Sequence, residues 1–142
     1  MLRVAFDGYV EKFNARDYAG ALGYWAPNFE VLVQNQVLCR TPDEFLKLYA
    51  FLHSFLDESI RVDRYLSDAD NVFIEARVRV AGKRSLTRPM IEAAGFNAIM
   101  PIEPGEIHEI PQFIHYHLVG GKFSRVACVV SGNIASVAAR AV

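Results

Sequence analysis

Apolar residues recur at helical spacing from the start of the chain. Leu2, Phe6, Tyr9, Val10 and Phe13 share one face, with Arg3, Asp7, Glu11 and Lys12 opposite, which predicts an amphipathic first helix. Asp17 then suits the N-cap of a short second helix carrying Tyr18, Ala21, Leu22 and Trp25 on one stripe, with Pro27 as its stop. FEVLVQ (29–34) alternates as a strand does, and QNQ turns it toward VLCR. TPDE at 41–44 is a capping box: Thr41 accepts from the third helical amide, Pro42 has no amide to satisfy, and Glu44 reaches back. The helix it opens runs to about Leu56, and apolar residues cover most of its circumference, so it should be enclosed on several sides.

Two alternating strands follow, SIRVDRYL (59–66) and VFIEARVRV (72–80), joined by the turn-forming SDADN. The pattern breaks over 81–106, punctuated by Pro89, Gly95, Pro101, Pro104 and Gly105. RPMIEAAG offers a turn or two of helix ending at Gly95, and Met90, Ile91, Phe96, Ile99 and Met100 favour a packed lid. The last two strands, EIHEIPQFIHYHLV and KFSRVACVV, meet at Gly120-Gly121, a pair that tolerates the positive φ angles of a tight hairpin. That turn sets Leu118 opposite Phe123. Stepping back by two places Tyr116, Ile114, Gln112 and Ile110 on the inner face, with Phe113, His115, His117 and Val119 outside. Strict alternation would also turn Arg125 inward, so a bulge is expected there.

Helices first, then a long antiparallel sheet with one more helix between its early strands, is an α+β order in one domain over residues 1–142. A curved sheet wrapped around the N-terminal helices makes a cone with an apolar cavity. The 52% hydrophobic content exceeds the needs of a small core and points to such a cavity or to a buried oligomer interface. A net charge of −1 leaves no basic stripe for nucleic acid. The apolar run at 45–56 is too short to span a bilayer, and the N-terminus has charges where a signal peptide has none. Cys39 and Cys128 lie far apart and read as reduced, so a cytoplasmic protein is expected.

Three stretches resemble the nuclear transport factor 2-like superfamily, and its SnoaL-like polyketide cyclase branch in particular. YVEKFNARDYAGALGYWAPNFEV (9–31) looks like the family's helix, N-A-x-D turn, helix and first strand. RTPDEF resembles its capped helix, and EPGEIHEIPQFIHYHLVGGK (103–122) its alternating strand and hairpin. The resemblance implies a ketosteroid isomerase-like (cystatin-like) roll and a cavity that hosts cyclisation, isomerisation, dehydration, epoxide opening or plain binding. Fold alone does not choose among these. The proton-transfer members need a carboxylate base in an apolar pocket and a neutral donor for the developing enolate.

The gap-free match puts the branch's inward Gln on Gln112, its His on Ile114 and its Asp on Cys128. The isomerase base falls on Val33, and the tyrosine donor on Tyr9. Catalytic candidates are therefore Tyr9, Gln112 and, as the one inward group that titrates near neutral pH, His53. Trp25, Val33, Ile114, Tyr116 and Cys128 are the candidate ligand-binding wall. His115 and His117 face out, so neither a metal site nor a cofactor is expected. The expected ligand is small and apolar or semi-polar, and the expected assembly is a homodimer through the convex sheet face. Two readings stay open: a cyclase, isomerase or dehydratase, and a non-catalytic ligand-binding or dimerising module without the family's acids.

Overall fold

The computed structural model describes residues 1–137. Helix α1 (Arg3–Asn14) buries Phe6, Tyr9, Val10 and Phe13, the face its spacing marks out. In α2 (Tyr18–Leu22) the Asp17 carboxylate accepts the Gly20 amide at 2.9 Å. This helix is shorter than the pattern suggests. Trp25 is not on it but opens strand β1 (Trp25–Val33), and Pro27 lies within that strand. Proline is tolerated because the pairing of β1 with β6 is interrupted between Trp25 and Glu30, so no ladder bond is lost there.

Strand β2 (Gln36–Cys39) returns along β1 after a turn with positive φ at Gln34 and Asn35. Helix α3 (Pro42–Phe55) is capped by Thr41, whose hydroxyl accepts the Glu44 amide at 3.1 Å. Glu44 reaches back one residue further than expected, to the Arg40 amide at 3.2 Å. Strands β3 (Leu56–Ser67) and β4 (Asn71–Gly82) pair antiparallel, and β3 begins directly at the end of α3. Between β4 and β5 lies α4 (Arg88–Ala93), followed by Gly95 at positive φ. Strands β5 (Ile107–Val119) and β6 (Lys122–Val130) close at Gly120-Gly121, both at positive φ, and β7 (Ala135–Val137) pairs with β5.

The sheet order is β2-β1-β6-β5-β4-β3, antiparallel except for β1 with β6. It is a curved, unclosed sheet wrapped on α1 and α3, an α+β fold. Leu118 pairs with Phe123 as the turn requires. The register then slips so that His117 faces Arg125, leaving Ser124 as the extra residue and Arg125 exposed beside Glu30. The expected bulge is there. Ile114, Tyr116 and Leu118 are buried while Phe113 and Val119 are exposed, so the inner and outer faces are as the alternation gives them.

Candidate functional site

A cavity of about 260 Å³ opens between the inner sheet face, α1, α3 and residues 98–102. Its wall is apolar for the most part, and Tyr9, Trp25, Val33, Gln112, Ile114, Tyr116 and Cys128 all contribute to it. His53 does not line it. Instead the wall includes Glu58, the one charged side chain of the lining among the described residues.

Glu58 reaches this position through strand parity. Leu56, Glu58 and Ile60 are alternate residues of β3 and all three line the cavity, so one carboxylate shares a face with apolar neighbours. The strand is pinned close by. The side chain of Asn14, at the end of α1, donates to the Ile60 carbonyl at 3.0 Å and accepts the Ile60 amide at 2.8 Å. At the α3–β3 junction, Lys83 Nζ donates to the His53 carbonyl at 2.9 Å. The backbone amides of Lys83 and Arg84 both donate to the Phe55 carbonyl.

His53 is 7% exposed and sits behind the carboxylate. Its Nε2 lies 2.8 Å from Glu58 Oε1, and its Nδ1 lies 2.6 Å from the Tyr18 hydroxyl. With Glu58 ionised and the imidazole neutral, both contacts are satisfied when Tyr18 donates to Nδ1 and Nε2–H donates to the carboxylate. The Tyr18 ring stacks on the imidazole at 5.8 Å and 10°, and Tyr18 itself is half-exposed. The chain Tyr18–His53–Glu58 therefore runs from the surface to the cavity wall.

The other polar groups of the cavity are neutral donors. Burial pushes the phenols of Tyr9, Tyr49 and Tyr116 well above their ordinary pKa, and the charge of Glu58 adds to this at Tyr9 and Tyr49. The Cys128 thiol is pushed up to about 12 by burial and then by Glu58. These groups stay protonated at neutral pH. The Trp25 indole N–H lies close enough to the Tyr9 hydroxyl to offset part of that burial effect, yet without hydrogen-bonding geometry. Trp25 Nε1 is the buried side-chain polar atom left unpartnered among the described residues. An unmade buried hydrogen bond costs roughly 1–3 kcal/mol, and the Trp25 side chain lines the cavity.

Glu58 escapes sequence reasoning because the alternating pattern reads as a strand only from Ser59 and the resemblance puts the family's base at other positions. The signal was available in the alternation itself, a Glu on the apolar side of Leu56, Ile60 and Val62. His115 and His117 are not part of the cavity lining. His115 Nε2–H donates to Asn71 Oδ1 (2.8 Å), and the ring stacks on Phe73 at 5.7 Å. No group of three metal-ligating side chains occurs among the described residues.

The family model of the SnoaL-like domain matches residues 6–126. The chain belongs to the SnoaL-like domain family. Its fold is shared by a candidate polyketide cyclase from Xanthomonas campestris pv. campestris, 16% identical, with a TM-score of 0.70 over 87% of this chain and 85% of that one. A second candidate polyketide cyclase, from Pseudomonas putida KT2440, is 15% identical with a TM-score of 0.69, covering 87% and 86%. An epoxide hydrolase of the LEH-like type from Mycobacterium tuberculosis is 8% identical with a TM-score of 0.65, covering 88% and 78%. No curated protein sequence matches. Val33, Ile114 and Cys128, the positions where the resemblance puts the isomerase base and the cyclase branch's histidine and aspartate, all lie in the cavity wall of this SnoaL-like domain.

Proposed function

We propose that this SnoaL-like protein binds a small, uncharged, largely apolar carbonyl compound and moves a proton on it, with Glu58 as the base. The observation that supports this most is the Glu58 carboxylate, set in an apolar cavity and held from behind by His53. A carboxylate fixed at the wall of an apolar pocket can be placed within reach of a ligand C–H, as general base catalysis requires. The enolate that forms needs neutral donors, and Trp25 N–H, the Tyr9 hydroxyl and the Gln112 amide are the ones this reading uses. Tyr116, Ile114, Val33 and Cys128 shape the wall. A lining with one negative and no positive side chain argues for a neutral substrate over a carboxylate or phosphate. His53 acts in this reading by orienting Glu58 rather than by touching the ligand.

A second reading, a non-catalytic carrier, draws support from Val33, Ile114 and Cys128 standing where the resemblance puts the family's titratable groups. One experiment separates the two. Nitrobenzisoxazole is a flat, neutral bicycle whose ring opens to a coloured phenolate once a C–H proton is removed. The base reading expects saturable catalysis that falls about a hundredfold or more in Glu58→Gln. Binding without turnover, or turnover indifferent to Glu58→Gln, sinks it.

Three further parts belong to the same reading. Residues 81–106 serve as the lid, with the Arg88 guanidinium tying down the Ile99 carbonyl at 3.0 Å. The outer face carrying Phe73, Phe113 and Val119, each at least 39% exposed, pairs two copies. The two free thiols suit a reducing cytoplasm.

A further inference from the structure

Glu58 borders two spaces, the cavity and a shallow polar groove on the other side formed with Asn14, Arg16, Asp57 and Arg79. Its proton traffic therefore has two routes to water. One is direct, through the groove. The other is the hydrogen-bonded chain through His53 and Tyr18, with links of 2.8 and 2.6 Å.

We infer that Tyr18, His53 and Glu58 form a proton relay that connects solvent with the cavity while a ligand fills it. This rests on Glu58 as the group that exchanges protons with the ligand. Three features of the geometry support it. Tyr18 is half-exposed at the outer end, whereas His53 is nearly enclosed and Glu58 has a side-chain exposure of 15%. Both ring nitrogens are engaged in line, one by each neighbour, with no water needed to complete the chain. The stacked Tyr18 ring and the hydrogen bonds at both ring nitrogens hold the imidazole in its orientation.

The transfer balances. Inward, a hydronium proton joins the Tyr18 oxygen as the tyrosine O–H hydrogen passes to His53 Nδ1 and the Nε2 hydrogen passes to Glu58 Oε1. Water is left at one end and a carboxylic acid at the other, and both tyrosine and imidazole finish neutral. The ring then carries its hydrogen on Nδ1 and is set for the outward passage, the same steps reversed. Glu58 so supplied can act as acid as well as base, which dehydration and ring closure require and simple carbanion formation does not.

The test is nitrogen-detected NMR of the full chain with labelled histidine. The charged or titratable neighbours of the relay include Arg16 before α2, Tyr49 on α3, Asp57 on β3, Arg79 on β4 and Lys83 just after it, and all are left intact. The resting protein should carry the His53 hydrogen on Nε2, with Nδ1 accepting a hydrogen bond. Tyr18→Phe keeps the stacked ring and removes only the hydroxyl, and it should slow exchange of the Nε2 hydrogen with water by about tenfold or more. Exchange as fast in Tyr18→Phe as in wild type, which the groove route would give, overturns the relay. So does a resting hydrogen on Nδ1. Nitrobenzisoxazole turnover is read separately. Tyr18-dependent exchange without turnover would remove Glu58 as base and leave the proton path, whereas turnover with Tyr18-independent exchange removes the relay alone.

Discussion

At the scale of single residues, the cavity holds its chemistry in groups kept in one protonation state by burial. Cys128 illustrates this: the thiol lies in the wall at the position where the resemblance puts an aspartate, and burial with the nearby Glu58 charge raises it to about 12. Cys39, buried and near Glu44, is likewise pushed up to about 12. A thiol so raised presents about a thousandfold less thiolate at mildly alkaline pH than a free cysteine. Iodoacetamide should therefore leave both cysteines unmodified in the folded protein over the time that fully alkylates the denatured chain, as read by mass spectrometry. Rapid modification of Cys128 would mean that the thiol is not enclosed as the structure has it. Tyr9, Gln112 and Tyr116 were legible as inward residues from spacing and resemblance together. Glu58 was not, since a charged residue at the first turn of a strand reads as surface until the parity of its neighbours is counted.

Secondary elements were most legible where local chemistry and periodicity agree. The Thr41 cap, the Gly120-Gly121 turn and the alternation of β4 and β5 each carry their own signal, and each is in the structure. Trp25 misled because an aromatic after a helical stripe extends the stripe, while the pairing that makes it strand comes from β6, about a hundred residues on, with Pro27 in the interruption that follows. The junction of α3 and β3 was invisible for a similar reason: no turn residue separates Phe55 from Leu56. Yet this junction places His53 and Glu58 within hydrogen-bonding reach, so the cap that starts α3 supports the site from twelve residues away. Thr41→Ala should cost about 1 kcal/mol of stability, measured by urea unfolding. A loss of nothing would show that the α3 terminus is held by its packing alone.

The outer face of the molecule is where an expectation outruns the sequence. Its exposed aromatic pair, Phe73 and Phe113, sits beside His115. Partial burial lowers the His115 pKa, with Arg125 and His117 adding to the effect and Asp68 opposing it. A histidine depressed in the folded state takes its proton more readily when unfolded. Stability from this site is thus full above about pH 6.5 and declines as pH falls below it, until the folded value is passed. Thermal unfolding followed from pH 8 downward should show this decline, and His115→Gln should flatten it. An unchanged slope in the variant would place the acid sensitivity elsewhere. Light scattering at micromolar concentration should give twice the mass of the chain, and a monomer would leave the Phe73–Phe113 face without a partner.

The central claim is that Glu58 removes a proton from a carbonyl ligand inside this cavity. β-Tetralone, a neutral bicyclic ketone, tests it most directly when its α-hydrogens are followed by NMR in heavy water. The wild-type protein should replace them with deuterium faster than buffer does, with saturation in ketone. Binding should register in the fluorescence of Trp25, the one tryptophan of the chain. Glu58→Gln should keep the fluorescence change and lose the exchange. Exchange that persists in Glu58→Gln, or a wild-type protein that binds the ketone and leaves its hydrogens in place, would contradict the account.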